Sequence, residues 1–169
     1  MDRFRAGATT LNVPRLQAGV TLIEVLTVIG IVAILAAAAF PSMTTMLVAQ
    51  RLRSAGTDLM SSLLIARSEA IKRGVQVRLA PITGTDWSAG WTAKAAPNGD
   101  QIDRRNAPGY RVQVTRAPAT IAYERTGRLS TVGIVRIELS DVDGNTGAPA
   151  RCVTIDPSGL PRLSVGACS

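Results

Sequence analysis

Four sets of residues in this sequence have types or spacing that could do chemistry. Glu24 is the lone charge between Val20 and Phe40. An ionised carboxylate in apolar surroundings is expected to find a partner, yet no Lys, Arg or His lies between Val20 and Gln50. Asp141-Val142-Asp143-Gly144-Asn145 groups oxygen-bearing side chains. Calcium takes six to eight oxygens, and the EF-hand spacing with its distal Glu is missing, so a solvated hairpin turn and no metal site are expected. Cys152 and Cys168 stand near the C-terminus; with no C-x2-C spacing and no histidine, they do not read as zinc ligands. Arg104, Arg105, Arg111, Arg116, Arg125, Arg128, Arg136, Arg151 and Arg162 are spread over the C-terminal segment after Gly74, and the net charge is +7. Phosphate contacts need only a positive surface, so this charge permits DNA binding without requiring it. No nucleophile–base arrangement and no phosphate-binding Gly-rich loop is visible, so neither an enzyme nor a cofactor is expected.

The element that positions Glu24 is an apolar run from Val20 to Phe40. As a helix it would be roughly 31 Å long, enough for a bilayer's hydrocarbon core. A basic leader with Arg3, Arg5 and Arg15 precedes it, as in a secretory signal. In such a signal the small-residue cleavage site follows the apolar run. Here Gly19 precedes it, so a cut after Gly19 keeps the apolar helix in the mature protein. Pro41 lacks an N–H and is expected to kink the helix without ending it. Beyond it Leu52, Ala55, Leu59, Leu63, Ala66 and Ala70 recur at spacings of three and four, one apolar stripe. Lys72 and Arg73 suit the negative end of a helix dipole, and Gly74 suits the residue after the helix. One helix is therefore expected from about Leu22 to Arg73.

After Gly74 the period changes to two. Strands are expected at Val75–Leu79, Arg111–Val114, Ile121–Tyr123, Ile134–Leu139 and Arg151–Ile155. Trp87–Trp91 reads as a turn into a further strand, and its tryptophans as domain-core anchors rather than a binding platform. Turns are expected at Pro97–Asp100, Thr126–Leu129 and Asp156–Gly159. Short strands at close spacing suggest an antiparallel β domain. The fold class is α+β, a long N-terminal transmembrane and amphipathic helix packed on a C-terminal antiparallel β domain.

Gly19-Val20-Thr21-Leu22-Ile23-Glu24 resembles the class III signal of type IV pilins and type II secretion pseudopilins, with Val20 where that family usually has Phe. Leu63–Arg73 resembles the helix-end motif of the GspH/FimT branch, Trp87-Ser88-Ala89-Gly90-Trp91 its Trp-x-x-Gly-Trp segment, and Cys152 to Gly159 its last strand and turn. The resemblance implies a cytoplasmic leader over 1-19, removed by a prepilin peptidase between Gly19 and Val20, and N-methylation of Val20. It implies a transmembrane and filament-core helix over 20-41, an amphipathic helix over 42-74 and a periplasmic β domain over 75-169. Pro41 also fits the pilin pattern. The new α-amino group of Val20, in the same chain or a neighbour, is then a partner for Glu24, and the family favours the neighbour.

The resemblance further implies residence in the bacterial inner membrane, single-pass with the C-terminal domain in the periplasm, and incorporation into a pilus or pseudopilus with other pilins or pseudopilins as partners. In that oxidising compartment Cys152 and Cys168 are expected to pair. The functions implied are a minor pilin supporting pilus biogenesis or priming, a GspH-like minor pseudopilin of a type II secretion system, or a DNA-binding minor pilin. Some FimT-like members bind incoming DNA through a C-terminal Gly-Arg-x-Arg loop. The matching positions are Gly159-Leu160-Pro161-Arg162; Leu160 stands where the first arginine would, so only Arg162 carries over as a DNA contact.

Overall fold

The computed structural model describes residues 19–144 and 147–169, the side chains of residues 38, 39, 41 and 42 excepted. The expected leader lies, up to residue 18, outside the described residues, as do Asn145 and Thr146 of the acidic turn. The chain divides into two compact units between Ala39 and Phe40. Helix α1, Leu22–Arg73, contributes to both.

In the first unit every described side chain of α1 is exposed, and most are large and apolar: Leu22 is 81 % and Ile34 72 % exposed. A helix apolar all round belongs in lipid or among other helices. Among the described residues, however, no helix is long and apolar enough to cross a membrane. Helical backbone continues through Pro41; its side chain, and with it the expected kink, lies outside the described residues.

The second unit is built on the other half of α1. Leu52, Leu59, Leu63, Ala66 and Ala70 are wholly buried and Ala55 nearly so. This stripe packs with eight strands: β1 (Val77–Thr83), β2 (Asp86–Ala95), β3 (Asp100–Asn106), β4 (Val112–Arg116), β5 (Ile121–Tyr123), β6 (Val135–Asp141), β7 (Arg151–Ile155) and β8 (Pro161–Val165). They form two antiparallel four-stranded sheets, ordered β3-β2-β1-β5 and β4-β6-β7-β8. Alternation is cleanest in β6, where Val135, Ile137, Leu139 and Asp141 are buried and the residues between them are not. One apolar cluster joins α1 to both sheets, with Val77 and Leu79 from the first sheet and Ile137, Leu139, Val153 and Ile155 from the second. The α+β pilin-like architecture is therefore the observed one.

Besides β8, a strand that was not expected, three segments differ from the sequence expectation. Trp87–Trp91 is not a turn but the interior of β2. Both tryptophans are buried, their ring centroids 6.5 Å apart, and they are core anchors as expected. β3 has only one strongly apolar residue, Ile102; as an edge strand with exposed faces it carries no period-two signal. The acidic turn is not simply solvated: Asp141 ends β6 buried, held by Arg111 through Nε to Oδ1 at 3.1 Å and Nη2 to Oδ2 at 3.3 Å. Arg111 Nη2 also reaches Asp143 Oδ2 at 3.0 Å. These carboxylates hold the guanidinium in its charged form, raising its pKa through the Asp141 hydrogen bond first.

Cys152 and Cys168 are joined, tying β7 to the segment after β8 across a sequence separation of 16. A loop of that length contributes about 3 kcal/mol in the chain-entropy model. Replacing both cysteines by Ala should lower the urea-unfolding free energy by about that amount. Leu59→Ala, at a wholly buried position, should cost about 2–5 kcal/mol in the same measurement.

Candidate functional site

The N-terminal segment begins at Gly19 and Val20, both exposed and outside the helix. Thr21 caps the helix: its Oγ1 accepts from the Glu24 N–H at 3.3 Å, and its carbonyl accepts from the N–H groups of Glu24 and Val25. These contacts satisfy donors that a helix N-terminus leaves open. Thr21-x-x-Glu24 has the spacing of a capping box, a signal in the sequence that points to Thr21 as well as to Glu24. The reciprocal half of the box is not made. Among the described residues the Glu24 carboxylate accepts no hydrogen bond and pairs with no cation. It stands exposed beside Val20, Val25, Val28 and Ile29, which line a shallow hollow of about 280 Å³. The segment thus places a carboxylate that meets no cation among the described residues on an exposed apolar rod.

The helix-end motif Leu63–Arg73 positions the far end of the β domain. Arg67, half-buried, donates from Nε to the Gly127 carbonyl at 3.0 Å and from Nη2 to the Ser158 carbonyl at 3.5 Å. It therefore ties two turns, one after β5 of the first sheet and one after β7 of the second, to α1. Gly159 lies against the same point with φ +85; a Cβ there would come 2.1 Å from the Gly127 carbonyl oxygen. Only glycine fits both the backbone angle and the gap. One turn back along α1, wholly buried Ser62 accepts from Trp91 Nε1 at 2.9 Å and donates to Asp103 Oδ2 at 2.5 Å. Arg67 and Ser62 were not singled out by composition or period. Their signal is a polar residue beside an apolar stripe, which burial alone distinguishes from a solvated one.

The C-terminal loop runs from Asp156 to β8. Asp156 Oδ1 accepts from the Ser158 N–H at 2.8 Å, from the Ser158 hydroxyl, and from the Leu160 N–H at 3.5 Å. The Ser158 hydroxyl bond is the main reason its pKa is lowered, and the charge of Arg162 adds to it. Arg162 is exposed on edge strand β8, opposite Thr154, rather than in an irregular loop. Leu160 is 40 % exposed beside it. Asp156 and Arg162 line one hollow together with Arg136, and no ion pair joins Asp156 to Arg162 among the described residues. Among the described residues no group of His, Cys, Asp and Glu could hold a metal ion.

Arg67→Ala should lower unfolding free energy by about 1.5–3 kcal/mol, the usual range for hydrogen bonds from a charged group. Gly159→Ala should cost more than about 1 kcal/mol from the left-handed backbone alone. Asp156, with its folded pKa lowered, contributes stability above its unfolded pKa that is lost as pH falls through the folded value. Asp156→Asn should therefore flatten the pH dependence of the unfolding midpoint across the acid carboxylate range. An unchanged acid slope in that variant would remove Asp156 from the account.

The chain resembles known proteins in both parts. Residues 14–40 match a prokaryotic N-terminal methylation motif, and residues 55–159 match the type II transport protein GspH family. No curated protein sequence matches the chain. The fold is similar to that of the type IV minor pilin FimU of Pseudomonas aeruginosa, at 18 % identity and a TM-score of 0.58, over 68 % of this chain and 89 % of that one. It is also similar to the minor pseudopilin EpsH from the type 2 secretion system of Vibrio cholerae, at 14 % identity and a TM-score of 0.51, over 68 % and 97 %. Most of the buried half of α1, the strands from β1 to β7 and the turns held by Arg67 fall within the segment matched over residues 55–159, and with a methylation motif at its head the chain belongs to the GspH family, on a pilin-like fold.

Proposed function

We propose that this chain is a minor pilin of a type IV pilus, assembled through its N-terminal helix to support pilus biogenesis or priming. The observation that carries the reading is Glu24 on an exposed apolar helix, its carboxylate meeting no cation among the described residues, inside a segment that matches the N-terminal methylation motif. In this mechanism prepilin peptidase cuts between Gly19 and Val20, and Val20 is N-methylated. The apolar helix holds the subunit in the inner membrane, with the β domain in the periplasm, until helix contacts with other pilins replace lipid. Glu24 then meets the Val20 amino group of a neighbour. Removing one member of such a desolvated pair costs about 2–5 kcal/mol, enough to decide whether a subunit joins. Pro41 bends the helix between its lipid-facing and domain-packing halves.

A second reading, a GspH-like minor pseudopilin of a type II secretion system, is supported by the family match itself. The chemistry of assembly is the same in both readings; the system that receives the subunit differs. Sheared surface pili carrying the chain support the first, and loss of protein secretion on its deletion supports the second.

N-terminal sequencing and intact mass of the membrane-extracted protein should show a chain beginning at methylated Val20. A native chain that still begins at Met1, or that has lost everything through Phe40, would end both readings. Glu24→Ala should reach the membrane normally and appear in sheared filaments at least about tenfold less than wild type. Normal incorporation would remove Glu24 from the assembly step.

A further inference from the structure

The outer face of the first sheet, turned away from the buried stripe of α1, carries a groove of about 440 Å³. Its cations are Arg78, Lys94 and Arg104, and no carboxylate lines it. Arg78 and Lys94 are direct cross-strand partners on β1 and β2. Like charges in that position destabilise a sheet, so the pairing gives the isolated domain nothing. Arg104 on β3 stands opposite Thr92, one row further along β2 from Lys94. Arg78 Nε donates to Gln76 Oε1 at 2.7 Å, and Gln76 in turn donates to Glu124, which fixes the guanidinium without neutralising it directly. Among the described residues neither Lys94 nor Arg104 has a counter-ion or a hydrogen-bond partner for its charged group. Between the cations the floor is small or apolar, with Ala80, Pro81 and Ile82 from β1.

We propose that this groove is a docking site for an extended acidic peptide segment of a partner protein. Successive same-face residues of an extended strand lie about 6.8 Å apart, which is also the step along β2 from Lys94 to Thr92 and its neighbour Arg104. A carboxylate at one position of the segment faces Arg78 and Lys94, and a carboxylate two residues on faces Arg104. The floor accepts methyl-sized side chains between them. A single-stranded nucleic acid would draw on aromatic side chains for its bases, and none lines the groove. This inference stands apart from the assembly role of the N-terminal helix and from Arg162.

The test uses the full chain in detergent and a fluorescent twelve-residue peptide of alternating Glu and Ala, with a twelve-nucleotide oligothymidylate as comparator, followed by anisotropy at low and high salt. The peptide should bind more tightly than the oligonucleotide, and salt should weaken it. Arg78→Gln, Lys94→Gln and Arg104→Gln together should weaken peptide binding at least tenfold. Lys94→Gln alone, which preserves the sheet most conservatively, should weaken it about threefold, with thermal midpoints reporting folding in each case. Arg53→Gln, Arg125→Gln and Arg128→Gln together remove the same charge away from the groove and should change affinity less than twofold. Equal loss in the two triple variants, tighter binding of the oligonucleotide, or no peptide binding by wild type would each overturn the assignment.

Discussion

The β domain depends on the contact between the Leu52–Ala70 face of α1 and the inner faces of two sheets. Neither sheet is large enough to bury its own apolar face, and the helix supplies the missing side of the core. Close approach is part of that contact. Gly56 has Leu163 against it, near enough that a Cβ would sit 2.9 Å from the Leu163 Cδ1. Its neighbours Leu52, Ala55, Leu59 and Leu63 are at most 2 % exposed. The polar ties of Ser62 to Trp91 and Asp103, and of Arg67 to two turns, add direction to what apolar burial leaves non-directional. They fix which turns meet the helix and where along it.

The same helix faces the opposite demand in its first half. Side chains from Leu22 to Leu35 that would suit a core are exposed. Hydrophobic burial is worth roughly 25 cal/mol per Å², so a rod of this kind is strongly driven to find cover. Lipid and other helices both provide it at similar apolar cost, which makes exchange between them a matter of secondary interactions. In the proposed assembly Glu24, which meets no cation among the described residues, is such an interaction. A carboxylate costs most where it is desolvated alone and least where a cation meets it, so under that proposal it favours a neighbour in one register over a neighbour in any other.

How far this was legible in the sequence follows from which signals are local. The helix bounds came from an apolar run, a stripe of spacing three and four, and Lys72-Arg73-Gly74, all of which act within a few residues. Ile121–Tyr123 was readable because it alternates, and Arg151–Ile155 because it is an inner strand rich in apolar and β-branched residues. β3 was not, since an exposed edge strand such as Asp100–Asn106 has no buried face to impose a period. Trp87–Trp91 misled because Gly90 and Ser88 look like turn residues. Gly90 is at φ +101 against the backbone of β3, so it marks a close approach between strands, not a bend. Asp141 was read as solvated because nothing within its own segment is basic; its partner Arg111 is thirty positions away. Glu24 was legible because its lack of a partner is a property of the segment itself.

The C-terminal loop shows why a motif's chemistry has to be read with its surroundings. In Gly159-Leu160-Pro161-Arg162 the glycine is retained for a reason unrelated to ligands, the 2.1 Å approach a Cβ would make to the Gly127 carbonyl. The loop's shape is thus fixed from inside by Arg67 and Gly159, while its outer chemistry is free to vary. Leu160 in place of a cation changes only that outer surface, and the charge that remains on Arg162 stands in a hollow shared with Asp156. Positive charge without a carboxylate beside it lies elsewhere, on the outer rows of β1, β2 and β3. The scaffold therefore separates two tasks: α1 and the turns it holds keep the domain in one shape, and the exposed strands decide what that shape meets.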